Sequence, residues 1–189
     1  IKNVGIEAIK ELEEERNKNG NFKNFNDFLA RVSPSVSNKK TLEALACSGS
    51  FDSFNIRREN IFNECPEIIK HLKHFHEANN SNQEDIFGES SKFEYKFTSN
   101  EKWSEETKLM KEFEILGFYL SGHPLNQFLN KVSKLDIKNY ETIKSNKNFH
   151  NEKNVLLAGT LLSKKEKRSA RGNAYAFLNF SDLSSIYEL

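Results

Sequence analysis

The chain has 189 residues, enough for one medium-sized domain or two small ones, and its formal net charge is +1. Hydrophobic residues make up 37% and charged residues 29%, so the chain is globular, but part of it is expected to lie outside any packed core. The balanced charge excludes a uniformly basic protein, and a surface that binds a polyanion has to be sought segment by segment.

Two cysteines, Cys47 and Cys65, lie too far apart for a C-x-x-C pair. The sequence contains no signal peptide and no apolar run of about 18 residues, the length that spans a membrane. We therefore expect reduced thiols in a cytoplasmic protein, because disulfides are rare in the cytosol. Ile1 is not an initiator methionine and already lies in a patterned segment, from which we expect a piece of a longer protein.

Residues 1–78 have the pattern of short helices separated by turns. Asn24 is suited to cap a second helix, and a third is expected to start near Ser37 or Asn38 and to stop at Gly49. Pro66 is expected to break or kink the fourth helix, because a proline inside a helix removes a hydrogen bond and clashes with the preceding turn. The pattern predicts a helical domain.

The remaining sequence divides into three parts. Residues 79–100 are polar and small, without a sustained period, which predicts a flexible linker. Helical spacing returns in residues 101–150, which we interpret as a bridging segment. In residues 151–189, strand-like runs at 155–162 and 174–180 flank a basic loop, so a small β portion ends the chain.

The first candidate site is the turn at the start of the chain. The sequence IKNVGIEAI resembles a helix-hairpin-helix turn, in which a tight turn delivers a helix N-terminus whose free N–H groups hold a phosphate. Gly5 lets the backbone approach closely, and Lys2 adds a positive charge. The candidate DNA-binding residues here are Lys2, Asn3, Val4 and Gly5. The alternative is an ordinary turn between two helices.

A second candidate turn joins two predicted helices at CSGSFD, residues 47–52. Four basic side chains flank it and suggest a surface that follows phosphates without reading bases. The turn departs from the usual G-x-G pattern. The candidate residues are Lys39, Lys40, Ser48, Gly49, Ser50, Arg57 and Arg58.

The predicted linker contains the short motif QEDIF, residues 83–87. An exposed apolar pair is costly unless a partner covers it, so Ile86 and Phe87 are expected to fill a pocket on another protein. The Gln83 amide can both donate and accept hydrogen bonds at the rim of such a pocket. The candidate docking residues are Gln83, Asp85, Ile86 and Phe87. The alternative is that the apolar pair folds back onto the neighbouring helices.

The basic loop at 164–173 has only Glu166 as an opposing charge. In an OB barrel, a loop between strands contacts nucleic acid, and Tyr175 and Phe177 share one strand face that is suited to stacking bases. The candidate single-strand-binding residues are Lys164, Lys165, Lys167, Arg168, Arg171, Tyr175 and Phe177. The alternative is a solvated hairpin loop whose aromatic residues belong to the core.

Motifs for catalysis are not found: the sequence has no phosphate-binding loop, no nucleophile elbow, no triad candidate and no tight acidic pair in an apolar setting. His71, His74 and His76 form H-x-x-H-x-H, but a zinc site needs a third ligand and supporting contacts, so a solvated face is expected. We predict no catalytic residue, no metal ligand and no cofactor in this sequence.

Taken in order, these segments resemble the bacterial C-family replicative DNA polymerases, the DNA polymerase III alpha subunits. The resemblance covers nearly the whole chain and is most specific at LGFYLSGHPL. It rests on IKNVG, on NKKTLEALACSGSFDSF followed by RREN, on QEDIFG, on EFEILGFYLSGHPL and on VLLAGTLLSKKEKRSARGNAYAFLNFSD.

The resemblance implies a mainly α protein with a small β portion. It implies a tandem helix-hairpin-helix DNA-binding domain at 1–78 whose first helix is missing, and a linker at 79–100 with a clamp-docking peptide. A helical bridge at 101–150 and the N-terminal part of an OB-fold domain at 151–189 would follow. Because a five-stranded barrel cannot be completed after Val155, we expect an unpaired strand edge.

The resemblance also implies partners. The two turns would hold duplex DNA, residues 83–87 would bind the sliding clamp (beta subunit), and the 164–173 loop would contact single-stranded template. Other replisome subunits are implied, and a membrane is not. The parent would be a DNA-directed DNA polymerase, a nucleotidyltransferase whose magnesium-binding palm aspartates lie upstream, so this piece alone should be inactive. The alternatives are a module of a DNA-repair protein or ligase and a small zinc hydrolase.

Overall fold

The computed structural model describes residues 1–80, 93–145 and 154–189, so the predicted docking residues Gln83, Asp85, Ile86 and Phe87 lie outside the described residues. The chain forms two compact units, residues 1–119 and 120–189, and these boundaries differ from the four predicted segments. No helix among the described residues is long and apolar enough to cross a membrane.

The first unit is helical, and side-chain caps begin several of its helices. Asn24, Asn38 and Ser104 each accept a hydrogen bond from the backbone N–H three residues further on, as expected for helix N-caps. The elements are α1 (Ile6–Asn19), α2 (Phe25–Arg31), α3 (Lys39–Cys47), a 3-10 turn (Asp52–Phe54), α4 (Arg58–Asn63), α5 (Cys65–Asn80) and α6 (Glu105–Leu116).

The core of the first unit is rich in phenylalanine and lies between α2, α3, α4 and α5. The apolar face of α2 is buried, with Phe25, Phe28 and Leu29 at most 3% exposed. Pro66 is the second residue of α5, where its missing N–H costs nothing, so the predicted break falls between α4 and α5. The buried core residues include Val32, Val36, Leu42, Leu45, Ala46, Phe51, Ile61, Cys65, Ile68 and Leu72.

The second half of the predicted linker packs against this core. We call residues 93–103 the strap. Its aromatic side chains alternate with polar ones, and the Phe93 ring lies 5.3 Å from that of Phe75 while the Phe97 ring lies 5.7 Å from that of Phe25. The alternation F-E-Y-K-F is a two-residue period typical of an extended segment with one buried face. This signal is present in the sequence, although the polar residues around it favoured a linker.

A buried carboxylate anchors the strap. Glu64, 7% exposed, accepts hydrogen bonds from the Tyr95 hydroxyl at 2.8 Å and the Thr98 amide at 2.9 Å. Burial, followed by the hydrogen bond with Glu64, raises the pKa of Tyr95. Arg57 completes the attachment by donating to the Ser99 carbonyl at 3.2 Å. Polar groups of Tyr95, Thr98 and Ser99 are therefore bonded within the helical unit, whereas the side chains of Glu94 and Lys96 remain exposed.

The second unit combines short helices with two small sheets. Strand β1 pairs with β2 in parallel, and β3, β4 and β5 form an antiparallel sheet in that order. The elements are a 3-10 turn (Pro124–Phe128), α7 (Leu129–Val132), β1 (Ile137–Lys138), α8 (Tyr140–Ser145), β2 (Leu156–Leu157), β3 (Thr160–Arg168), β4 (Ala174–Ser181) and β5 (Ile186–Glu188).

This sheet confirms the predicted fold class, a mainly α protein with a small β portion. Among the described residues the sheet has three strands and is not closed, so an OB barrel stays a prediction. The predicted basic loop is corrected: residues 164–168 belong to β3, and the turn spans 169–173. A strand of nine residues forms because β4 offers it backbone partners along its length, with one irregularity in register between Leu161 and Ser163.

Two polar side chains tie the beginning of the second unit to its sheet. The His123 Nδ1 atom accepts the Leu125 N–H at 3.1 Å, which leaves Nε2 protonated to donate to the Ser181 hydroxyl at 3.0 Å. The Asp182 carboxylate accepts the Tyr140 N–H at 2.6 Å at the start of α8. Burial lowers the pKa of His123, whereas for Asp182 hydrogen bonds outweigh burial and hold the pKa below its ordinary value.

Candidate nucleic-acid interface

The first turn leads directly into α1. Asn3 has φ of 66°, the left-handed conformation that asparagine tolerates better than most residues, whereas Gly5 is extended with φ of −68°. The left-handed residue of the turn is therefore Asn3, and the role predicted for Gly5, close approach of the backbone, does not require a positive φ. A Cβ at Gly5 would have no heavy atom within 4 Å, so the missing side chain leaves the helix N-terminus uncovered.

The N-terminus of α1 offers unused N–H groups. The first helical hydrogen bond runs from the Ile9 N–H to the Gly5 carbonyl, so the three preceding amides, at 6–8, have no acceptor within the helix. The helix is 14 residues long, and its dipole places partial positive charge at this end. Lys2 is exposed beside it, and the one acid in the first helical turn, Glu7, forms an exposed pair with Lys10 at 3.1 Å. An anion is the chemical complement of this arrangement.

The second turn uses its own N–H groups. The Ser48 amide donates to the Ala44 carbonyl at 3.0 Å, and the amides of Gly49 and Ser50 donate to carbonyls of α3 at 3.1 and 3.0 Å. This is a Schellman motif, closed by Gly49 at φ of 79°. The predicted phosphate-binding amides of this turn are therefore occupied by the end of the preceding helix.

The prediction that Arg58 contacts DNA is corrected by its position in the structure. Its guanidinium is buried, 6% exposed, and donates to Asp52 at 2.9 Å and to Glu112 at 2.8 Å. Hydrogen bonds to Asp52 and then Glu112 raise the pKa of Arg58, so it stays charged. A guanidinium held between two carboxylates inside the protein is not placed to meet a phosphate.

Gly49 is explained by the same ion pair. A Cβ there would lie 2.8 Å from Arg58 Cζ and 2.9 Å from the Asp52 carboxylate, and it would overlap the guanidinium nitrogen. The glycine provides room for a side chain of its own protein. Ser48 is also turned inward, since its hydroxyl donates to the Leu45 carbonyl at 2.9 Å.

The other basic residues predicted for the second turn are dispersed. Lys39 and Lys40 are exposed at the first turn of α3, roughly 12 Å along its axis from the Gly49 turn. Arg57 is half-buried and holds the strap. The structure thus does not bring the four predicted basic residues together around one turn.

The β3–β4 hairpin carries a basic aromatic face. Lys165 lies opposite Phe177 and Lys167 opposite Tyr175 in the ladder, so the four side chains share one face of the sheet. The Lys167 ammonium is 5.1 Å from the Phe177 ring centre, and Tyr175 is 45% exposed.

The opposite face of the hairpin is mixed in charge. Lys164 pairs with Glu166 at 2.6 Å there, and Arg168 shares this face by alternation. Arg171 lies in the turn. The seven residues predicted to bind single-stranded DNA are therefore divided between the two faces of the hairpin and its turn. Glu166 lies on the face of Lys164, so the face that carries Lys165 and Lys167 has no acidic side chain from this hairpin.

In the described part of the chain, no group of three or more His, Cys, Asp or Glu side chains is placed to hold a metal ion. Of the three histidines predicted to form a solvated face, His71 and His74 are exposed and His76 is partly buried, and the His71 ring lies 5.7 Å from that of Phe93 in the strap. Both cysteines are buried free thiols, and burial raises the pKa of Cys47 to about 11 and that of Cys65 to about 12.

Comparison with known proteins agrees with this geometry. A sequence profile described as a helix-hairpin-helix motif matches residues 1–61. The DNA polymerase III subunit alpha of Campylobacter jejuni is 34% identical over 90% of this chain and 15% of its own length. Those of Rickettsia prowazekii and Vibrio cholerae are 33% and 28% identical over 100% of this chain and 16% of their own lengths.

The alignment covers this chain from end to end, whereas the chain spans only about a sixth of the curated relatives that it matches. The helix-hairpin-helix match falls on the unit that contains both turns. The chain belongs to the bacterial DNA polymerase III alpha subunit family and corresponds to one segment of those proteins.

Proposed function

We propose that this chain is a DNA-holding region of a bacterial replicative DNA polymerase and that it grips the duplex backbone mainly through its first turn. The observation that carries the proposal is the uncovered N-terminus of α1, with three unused amides beside exposed Lys2. Backbone amides at a helix N-terminus bind phosphate oxygens without reading bases, which suits an enzyme that works on any sequence.

The second unit is proposed to contact single-stranded template. A face that combines Lys165 and Lys167 with Tyr175 and Phe177 supports this, because lysines follow the phosphate backbone while aromatic rings stack on bases of any sequence. If the unit is part of an OB fold, this hairpin is the expected contact.

Attachment to the sliding clamp is proposed for residues 83–87. The support is the sequence itself: Ile86 and Phe87 would enter a pocket on the clamp, with Gln83 at its rim. Clamp binding would keep the polymerase on DNA. The longer protein is proposed to carry the polymerase activity and its magnesium site elsewhere, in keeping with the names of its relatives.

Duplex binding is tested by fluorescence anisotropy of the 189-residue chain with a labelled duplex over a range of salt concentrations. Binding should weaken steeply with salt, because counterions are released from the phosphates. Lys2→Gln should weaken binding and reduce the salt slope by about one. Lys18→Gln, at the other end of α1, changes the net charge equally and should have little effect. A salt-independent affinity, or equal effects of the two substitutions, would contradict the proposal.

Clamp binding is tested with a purified bacterial sliding clamp by surface plasmon resonance. The double substitution Gln83→Ala and Phe87→Ala should abolish binding. Glu84→Ala is the matched control, since it truncates a side chain at the variable position of the same motif and should leave affinity unchanged. Equal affinity of the double variant and the parent chain would exclude docking through this segment.

A further inference from the structure

Helix α6 contacts both turns of the first unit, although it lies outside the residues that match the helix-hairpin-helix profile. At its C-terminal end, the Ile115 carbonyl accepts the N–H of Lys2 at 2.9 Å. The last carbonyls of a helix have no partner within the helix, so Ile115 is able to accept this bond. This hydrogen bond attaches the first turn, at a residue just ahead of the α1 N-terminus, to the C-terminal end of α6.

One helical turn earlier, α6 is joined to the second turn. Glu112 is fully buried, with 0% exposure, and accepts a hydrogen bond from Arg58 Nη1 at 2.8 Å. The same guanidinium donates to the Asp52 carboxylate through Nε and Nη2, at 2.9 and 2.6 Å. Arg58 is thus a rigid fork between the second turn and α6.

These contacts place α6 between the two turns. Glu112 and Ile115 are three positions apart in the sequence (i and i+3), so they are neighbours on one face of the helix. A buried ion pair is weak evidence for stability, because well-packed apolar residues often serve equally well, but its directional hydrogen bonds define one arrangement. The hydrogen bond between Arg58 and Glu112 therefore sets where α6 lies against the second turn, and this in turn sets where the Ile115 carbonyl holds the N–H of Lys2.

We propose that Glu112 is a positioning residue for DNA binding: through Arg58 it fixes α6, and α6 fixes the first turn and the α1 N-terminus that receives the phosphate. The second turn is then the internal support of the first rather than a second DNA contact. This inference rests on the proposed duplex-binding function of the first turn.

The test compares Glu112→Gln with Glu114→Gln in the 189-residue chain. Both remove one negative charge from α6, but Glu114 is exposed. At a temperature where circular dichroism shows both variants folded, Glu112→Gln should weaken duplex binding by roughly threefold to tenfold, the size of a coupling through packed contacts. Glu114→Gln, which only lowers the repulsion of DNA, should not weaken it.

A double-mutant cycle separates positioning from general loosening. If Glu112 acts through the first turn, Glu112→Gln should cost little further affinity in a Gly5→Ala background, where the close approach is already impaired. Additive losses, or wild-type affinity in the folded single variant, would overturn the inference.

Arg58→Lys provides a second route if Glu112→Gln does not fold. It keeps the charge but loses the fork, so the N–H of Lys2 should exchange faster with solvent and duplex binding should fall; unchanged exchange and binding would overturn the inference. Failure of the parent chain to bind duplex at all would instead contradict the proposed function.

Discussion

The two turns of the helical unit belong to one motif, yet they use their backbone N–H groups in opposite ways. In the first turn, the amides that begin α1 have no acceptor within the helix, and Gly5 leaves them uncovered. In the second turn, the amides of Ser48, Gly49 and Ser50 are bonded to α3, and the arginine that follows is buried. A hairpin turn is therefore a possible phosphate site only when its donors are not already used.

The difference also changes the meaning of the two glycines. Gly5 lies next to open space, so substitution there should affect what binds from outside. Gly49 lies against the Arg58 and Asp52 side chains and has positive φ, so substitution there should affect folding. The comparison can be tested by separating stability from DNA affinity.

The largest effect is expected at the buried arginine. Arg58→Met leaves the fully buried Glu112 without its cationic partner and should lower the free energy of unfolding by about 4 kcal/mol. Arg57→Met is the neighbouring control: Arg57 is half-exposed and should cost under about 1 kcal/mol. Urea denaturation measures both. Similar losses at the two positions would mean that the second turn is not the internal support described above.

Gly49→Ala should follow, with a loss of about 3 kcal/mol, because positive φ and overlap with the Arg58 guanidinium both oppose a side chain. Gly117→Ala is a matched control, since Gly117 also ends a helix in the left-handed conformation, with φ of 83° and ψ of 5°, but has open space around it, and should cost only about 1 kcal/mol. The difference between the two losses in urea denaturation isolates the steric contribution. Equal losses would show that the backbone conformation alone requires Gly49.

Gly5→Ala should show the reverse behaviour. Its extended backbone accepts alanine, so the free energy of unfolding should change by less than about 0.5 kcal/mol. Duplex affinity should fall by about 1 kcal/mol, or roughly fivefold, because a Cβ obstructs the approach of a phosphate to the amides. Anisotropy with the labelled duplex measures this loss. Retained affinity would place the phosphate elsewhere.

The smallest effect concerns amides whose acceptors titrate. Those of the second turn bond to carbonyls, whereas the Leu125 amide bonds to the His123 imidazole. Burial holds the pKa of His123 in the folded chain below 6.5. The contribution of the neutral His123 imidazole to the free energy of unfolding is therefore complete above pH 6.5 and is lost as the pH falls through the lowered pKa. Hydrogen-exchange protection of Leu125 should decrease on acidification while that of Gly49 stays constant. His123→Gln should remove the pH dependence, and persistence of that dependence would assign it to another group.

Much of the local structure could be predicted from single residues. Asn24 and Asn38 cap helices where expected because their short side chains reach an unpaired N–H, and Pro66 separates α4 from α5 because it lacks one. The basic loop was predicted to begin at Lys164, whereas β3 continues to Arg168. A run of charged residues does not indicate a strand, because this strand is held by backbone hydrogen bonds to its neighbour and not by burial of its side chains.

The candidate site was predictable only in part. The first turn was recognised from IKNVG, and the first helical hydrogen bond of α1 starts at Ile9, but the left-handed conformation of Asn3 was not predicted. The basic residues near the second turn looked equivalent in sequence. The structure separates them because Lys39 and Lys40 lie at the far end of α3 and Arg57 holds the strap.

The sequence alone determined the short helices of the first part, the caps at Asn24 and Asn38, the presence of a small β portion at the end and the family, since each depends on residues that are close in the chain or on the order of motifs. The tertiary structure decided which arginine is buried and that the strap belongs to the helical core, because these outcomes depend on partners 40 or more residues away, such as Arg58 with Glu112 and Arg57 with Ser99. The amides of the second turn are instead bonded to α3 carbonyls within five residues, so their use is decided locally. A donor is available to DNA only if no partner, near or distant, has already taken it.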